Sequence, residues 1–134
     1  MDNRFLCPHC RSDLKVGDHI VFAATNRFGR KGVLMLSPEL GNYTILHDEH
    51  FKYKPGEHLD FYCPVCHGNL AIPHVSKELA EVLMVDDEGV EYRIIFSEIA
   101  GKKVTIQVKD DQMVKVFGED ADSYTNFWGI GPRY

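Results

Sequence analysis

The chain has 134 residues, 44% of them hydrophobic and 26% charged, the make-up of a folded domain and not of a disordered or fibrous segment. Its longest apolar runs, Ile20–Ala24 and Val33–Leu36, fall far short of the roughly 20 residues that span a bilayer, which excludes a transmembrane helix and argues against a membrane partner. The formal charge of −5 is uneven, since residues 1–34 carry +3 and residues 35–62 and 63–134 carry −3 and −5, so a protein partner suits the whole chain better than nucleic acid does.

The first residues, Met1 to Leu6, lack the basic start and apolar stretch of a signal peptide, so a cytoplasmic chain is expected. Cys7-Pro8-His9-Cys10 follows at once. His19–Thr25 and Gly32–Ser37 then alternate as two strands of a hairpin, joined by Asn26-Arg27-Phe28-Gly29-Arg30-Lys31-Gly32. That connection carries three cations, an aromatic and two glycines. Arg27, Phe28, Arg30 and Lys31 are therefore candidate contacts for a partner, able to meet acidic groups or phosphates and to stack on a base. The competing reading is an ordinary solvated turn, because no second basic stripe accompanies the loop in the sequence.

His47-Asp48-Glu49-His50, with His58 nearby, raises the question of a second metal site. His47 and His50 stand at i, i+3, which brings side chains together on a helix but sends them to opposite faces of a strand, and the flanks Tyr43–Leu46 and Phe51–Tyr53 look like strand ends. The expectation is that no second site forms there.

A second pair, Cys63-Pro64-Val65-Cys66, uses up the remaining cysteines. Both pairs share the pattern C-P-x-C-x-x-x-L, ending in Leu14 and Leu70, which is an internal repeat of one short element. Two residues between thiolates let a tight turn present both sulfurs to one cation, and two such turns make a tetrahedral four-sulfur site. On these residues the chain resembles the zinc-ribbon group, with two knuckles each entered by a strand. The resemblance implies one zinc ion held by Cys7, Cys10, Cys63 and Cys66. It departs from a compact ribbon in the 52 residues (11–62) between the pairs, where roughly 15–20 are usual. It also departs at Arg11 and His67, where many knuckles have glycine. Disulfides are disfavoured by the reducing compartment and by the tightness of a C-x-x-C ring. Thiol redox chemistry is disfavoured because only six residues precede Cys7, too few for the strand-helix-strand of a thioredoxin-like fold. An iron ion passing single electrons, as in rubredoxin-like proteins, suits the same four sulfurs and stays open as the alternative. His9 and His67 are expected to face solvent or donate hydrogen bonds.

After the second knuckle, Ser76–Glu81 can begin as a capped helical turn before Val82–Val85 reads as strand. Tyr92/Ile94/Phe96, Val104/Ile106/Val108 and Val114/Val116 then alternate with more polar neighbours, and turns fall at Asp86–Gly89, Ala100–Lys103 and Asp110-Asp111, giving a meander over 81–118. The acidic pairs at those turns read as turn chemistry and not as a general acid and base. Residues 120–134 lose periodicity but hold four aromatics, including the only Trp. No nucleophile elbow, phosphate loop or His-Glu-x-x-His occurs, which disfavours an enzyme. The expected architecture is mostly β (a β-rich α+β class): a four-Cys zinc ribbon with an inserted β-hairpin subdomain, spanning 1–75, a C-terminal antiparallel β-meander over 76–119, and an aromatic tail over 120–134. The expected role is that of a binding or regulatory module.

Overall fold

The computed structural model describes residues 3–47, 49–110 and 112–121. Its ten strands are β1 (Arg4–Leu6), β2 (Lys15–Val16), β3 (His19–Thr25), β4 (Lys31–Leu36), β5 (Ile45–His47), β6 (Asp60–Tyr62), β7 (Leu79–Val85), β8 (Glu91–Ser97), β9 (Thr105–Lys109) and β10 (Gln112–Phe117). Among the described residues there is no helix, and so none long and apolar enough to cross a membrane. The fold is β-rich, as the alternation requires.

The strands form two antiparallel sheets. The first runs β1-β7-β8-β9-β10, the meander expected from the sequence with β1 added beside β7. The second runs β2-β3-β4-β5, and β6 also pairs with β3. Its centre is the β3–β4 hairpin, in register from Ile20 against Leu36 to Thr25 against Lys31. Every strand of the second sheet lies within residues 11–62, between the two cysteine pairs, and every strand of the first lies outside them.

Alternation supplies the core. Ile20, Phe22 and Ala24 of β3 and Leu34 of β4 face the first sheet, which returns Phe5, Ala80, Val82, Met84 and Ile94, all buried. Phe22, Phe61 and Phe96 meet where the sheets pack, with ring centroids 5.2–5.5 Å apart, tilted or edge-on to one another as aromatic quadrupoles favour. A pocket of about 180 Å³ opens between the sheets, lined mainly by apolar side chains such as Leu36, Leu40 and Tyr53.

Three details differ from the sequence reading. The turn at Ser76 is a single one, in which the Ser76 hydroxyl accepts the Glu78 N–H, and β7 starts at Leu79, three residues early. The middle strands of the first sheet are covered on both faces. Leu79, Ile95, Ile106 and Val108 point away from the second sheet yet are buried, in a cluster with Ile72 and Ala121. Val114 and Val116, expected to face inward, are 48% and 41% exposed, because β10 is an edge strand whose register slips between Met113 and Lys115. Of the aromatic tail, only Asp120 and Ala121 lie within the described residues.

Candidate metal centre

Each cysteine pair sits where the chain leaves a strand. Cys7 follows β1, and Cys63 follows β6, so the first cysteine of each pair is buried while Cys10 and Cys66, at the tips, are exposed. The two turns repeat one another bond for bond. Arg11 N–H donates to the Cys7 carbonyl at 2.8 Å and His67 N–H to that of Cys63 at 2.9 Å. Cys7 N–H donates to Ser12 and Cys63 N–H to Gly68, both at 3.0 Å. Leu14 N–H then closes onto the Phe5 carbonyl at 2.7 Å, and Leu70 N–H onto Phe61 at 2.9 Å. Asp13 and Asn69 occupy matching positions, their side-chain oxygens accepting the N–H two residues on, from Lys15 and Ala71. The repeat therefore extends to F-x-C-P-x-C-x-x-[D/N]-L, longer than the spacing of cysteines and leucines alone suggests. The aligned Phe5 and Phe61, and Asp13 and Asn69, carry that longer signal in the sequence.

The residues standing where many knuckles have glycine pay a backbone cost. Arg11 and His67 lie in the left-handed region, with φ of 62° and 63°. Arg11 is anchored by Glu91 at 2.8 Å, which ties the first turn to the start of β8. His67 is exposed. His9 faces the other way, its Nε2 2.7 Å from the Asn69 carbonyl, so it links the two turns and takes no thiolate's place. Gly68 makes room for that link, since a Cβ there would come to 2.9 Å from the His9 ring.

These turns bring the four sulfurs together. Cys7 Sγ lies 3.8 Å from Cys66 Sγ, Cys10 Sγ lies 3.8 Å from Cys63 Sγ, and all four fall within 4.8 Å of one another. Backbone amides point at them: His9 and Cys10 donate to Cys7 Sγ at 3.3 and 3.4 Å, Val65 and Cys66 to Cys63 Sγ at 3.3 and 3.4 Å, and Gly68 to Cys66 Sγ at 3.4 Å. Burial pushes the Cys7 thiol up to about 12, while hydrogen bonds from Ser12 hold Cys10 down to about 6. The group can hold a metal ion, because four sulfurs converge and their donor hydrogen bonds favour the thiolate form a metal requires.

The hairpin tip is built as a defined turn. Asn26, buried, accepts N–H groups of Phe28 and Arg30 at 2.9 and 3.1 Å and donates to the Lys52 carbonyl at 2.9 Å. Glu57 accepts the N–H groups of Arg27 and Lys54 at 3.0 and 3.1 Å, and these bonds hold its carboxyl below the usual range. Lys52 and Lys54, both exposed, thus have their backbone bound to the residues that fix the turn of Arg27, Arg30 and Lys31, a proximity the sequence order conceals. Phe28 is 73% exposed, with the Arg27 guanidinium 4.8 Å from its ring centroid.

His47, His50 and His58 are not gathered into one group. His47 ends β5 and packs against Tyr53 at 5.2 Å, and His50 is exposed beside Glu49. The acidic turns behave as turns: Asp86 caps the N–H groups of Glu88 and Val90, and Asp110 takes a φ of 53° in the β9–β10 connection. No family model, curated protein or solved structure matches the chain.

Proposed function

We propose that Cys7, Cys10, Cys63 and Cys66 bind one zinc ion as thiolates in a zinc-ribbon-like site, and that the protein is a binding module and not an enzyme. The observation that carries this is the 3.8 Å spacing across both cysteine pairs. A zinc–sulfur bond of about 2.3 Å in a regular tetrahedron places its sulfurs about 3.8 Å apart. Four thiolates fill the coordination sphere, leaving no position for water, so the ion's role is structural. Elemental analysis with a visible spectrum tests it. About one zinc per chain in a colourless protein is the expected result; iron with strong thiolate-to-metal bands overturns the zinc assignment and makes electron transfer the function.

The binding surface in this reading is the hairpin tip, where Arg27, Phe28, Arg30 and Lys31 project on a turn fixed by Asn26 and Glu57. A net charge of −5 over the whole chain disfavours a long polyanion such as nucleic acid, so the partner in this reading is a protein whose short acidic stretch meets the cations of the tip alone. Charge reversal at Arg27, Arg30 and Lys31 is expected to abolish binding to a poly-glutamate peptide. Tighter binding to single-stranded RNA than to that peptide would assign the tip to nucleic acid instead.

A further inference from the structure

Where the two sheets meet, a second set of donor side chains converges, sharing no residue with the cysteine centre. The segment before β6 runs antiparallel to the end of β8: Leu59 N–H donates to the Glu98 carbonyl at 3.0 Å, and Ala100 N–H to that of Glu57 at 2.9 Å. His58 and Asp60 stand two residues apart on extended backbone, so their side chains leave it on the same side. Glu98, only 1% exposed, reaches them from the other strand. Its Oε1 lies 2.9 Å from His58 Nε2, which is 3.9 Å from Asp60 Oδ1, and one donor atom of each residue lies within 4.8 Å of the others.

We propose that His58, Asp60 and Glu98 form a second metal site, for a divalent ion of the zinc class held by one imidazole nitrogen and two carboxylate oxygens. Charge is the first reason. Two carboxylates share one imidazole, which carries at most a single positive charge, and among the described residues no Lys or Arg pairs with either of them. With both carboxyls ionised the group carries a net negative charge, one of the two carboxylates being buried, an arrangement that a divalent cation neutralises.

Geometry is the second. The imidazole satisfies Glu98 as a hydrogen-bond partner at 2.9 Å but stands 3.9 Å from Asp60, beyond hydrogen-bond reach, so that bond alone does not account for all three groups. Ligands bound at about 2.0–2.2 Å stand roughly 3–4 Å from one another, close to the 2.9 and 3.9 Å that separate His58 Nε2 from the two carboxylate oxygens. Glu98 is held in place by the Phe61 N–H, which donates to its other oxygen at 3.3 Å, the outer support that orients a ligating carboxylate. Nitrogen and oxygen donors suit zinc and exclude a preference for softer ions. Unlike the four-sulfur centre, three protein ligands leave a coordination position open to water or an exogenous ligand.

The test is calorimetric titration of the purified protein, its cysteine centre loaded, with zinc chloride at neutral pH. One further zinc per chain in the micromolar range is expected. His58→Ala and Asp60→Asn change half-exposed side chains and leave the buried Glu98 intact, and each is expected to weaken that second event at least about tenfold while the melting temperature shows that the variant is folded. No second event in the wild type up to about 100 μM free zinc overturns the site. An isotherm unchanged in both variants also overturns it, since the ion then sits on other histidines. Neither result bears on the cysteine centre, whose zinc is already bound and counted.

Discussion

Stripping the metal from the cysteine centre is expected to lower the melting temperature by about 11 °C or more, because the centre joins the two sheets. An ion that binds the folded chain alone stabilises it by RT ln(1 + [Zn]/Kd). Structural zinc in comparable sites binds with about 10–16 kcal/mol; the weak end of that range, at about 10 μM free zinc, gives about 3 kcal/mol. A chain of 134 residues melts with an entropy of about 280 cal/mol/K, which converts 3 kcal/mol into about 11 °C. The stabilisation reaches the global transition, since Cys7 leaves a strand of one sheet and Cys63 a strand of the other. The assay is thermal unfolding followed by circular dichroism, with and without a high-affinity chelator, zinc content being measured on the same samples. Cys10→Ser and Cys66→Ser, at the exposed tips, should melt near the chelated wild type and respond little to chelator. A metal-free wild type melting within about 3 °C of the loaded protein would refute the reasoning.

Further substitutions probe how the turns and the hairpin are held. His67→Gly removes a left-handed non-glycine residue whose side chain is exposed, and is expected to raise stability by up to about 1 kcal/mol in urea unfolding. Gly32→Ala places a methyl against the buried Phe51 ring, closer than carbon atoms approach, and is expected to cost about 1–3 kcal/mol. Phe51→Leu in the same chain should recover part of that loss, since the two positions share one space. Glu57→Gln weakens two bonds to backbone N–H groups. The folded carboxyl titrates below its ordinary value of 4.5, so the wild type's advantage over Glu57→Gln should be full above that pH. It should fade as pH falls through the lower folded value, which paired denaturation series at several pH values measure.

The legible parts of the chain were those whose signal is local. Cysteine spacing gathers sulfurs because each turn needs only its own residues, and the alternation at Tyr92–Phe96 and Val104–Val108 names strands because β-structure has a period of two. What escaped reading depends on pairings made at long range. Nothing around Arg4–Leu6 announces a partner near Leu83–Val85, and nothing near His58 points to Glu98, 40 residues on. Burial of both faces of the meander also defeats alternation: Thr105 and Gln107 read as outward polar residues, yet the first bonds the Tyr43 hydroxyl at 3.0 Å and both are buried. The left-handed backbone at Arg11 and His67 was half visible, as a departure from glycine.

The 52 residues between the two cysteine pairs have a structural reason. They are not a loop but the whole second sheet, and β2 and β6, near its two ends, pair with the same edge of β3 at Ile20 and His19 and at Ala23–Thr25. Lys15 and Tyr62, opposite Ile20 and Ala23, are therefore brought within about 10 Å along β3 by strand pairing, at about 3.3 Å per residue. Loop-closure entropy is met by the sheet's own hydrogen bonds before any metal binds, so the insert adds little cost to the site. The two crossings are not held equally, however. The second is flanked by β6 and then by the seven-residue β7, whereas the first hangs on β1, whose three residues pair with one strand, β7, and otherwise only with Asp13 and Leu14 of the turn itself. Losing the metal should thus release β1 first and leave β3 and β4 protected. Amide exchange in the chelated protein is the measurement: Arg4 and Leu6, whose amides face β7, are expected to exchange well ahead of Phe22 and Leu34. Equal loss of protection in all four would mean that the metal, and not the sheet, organises the insert.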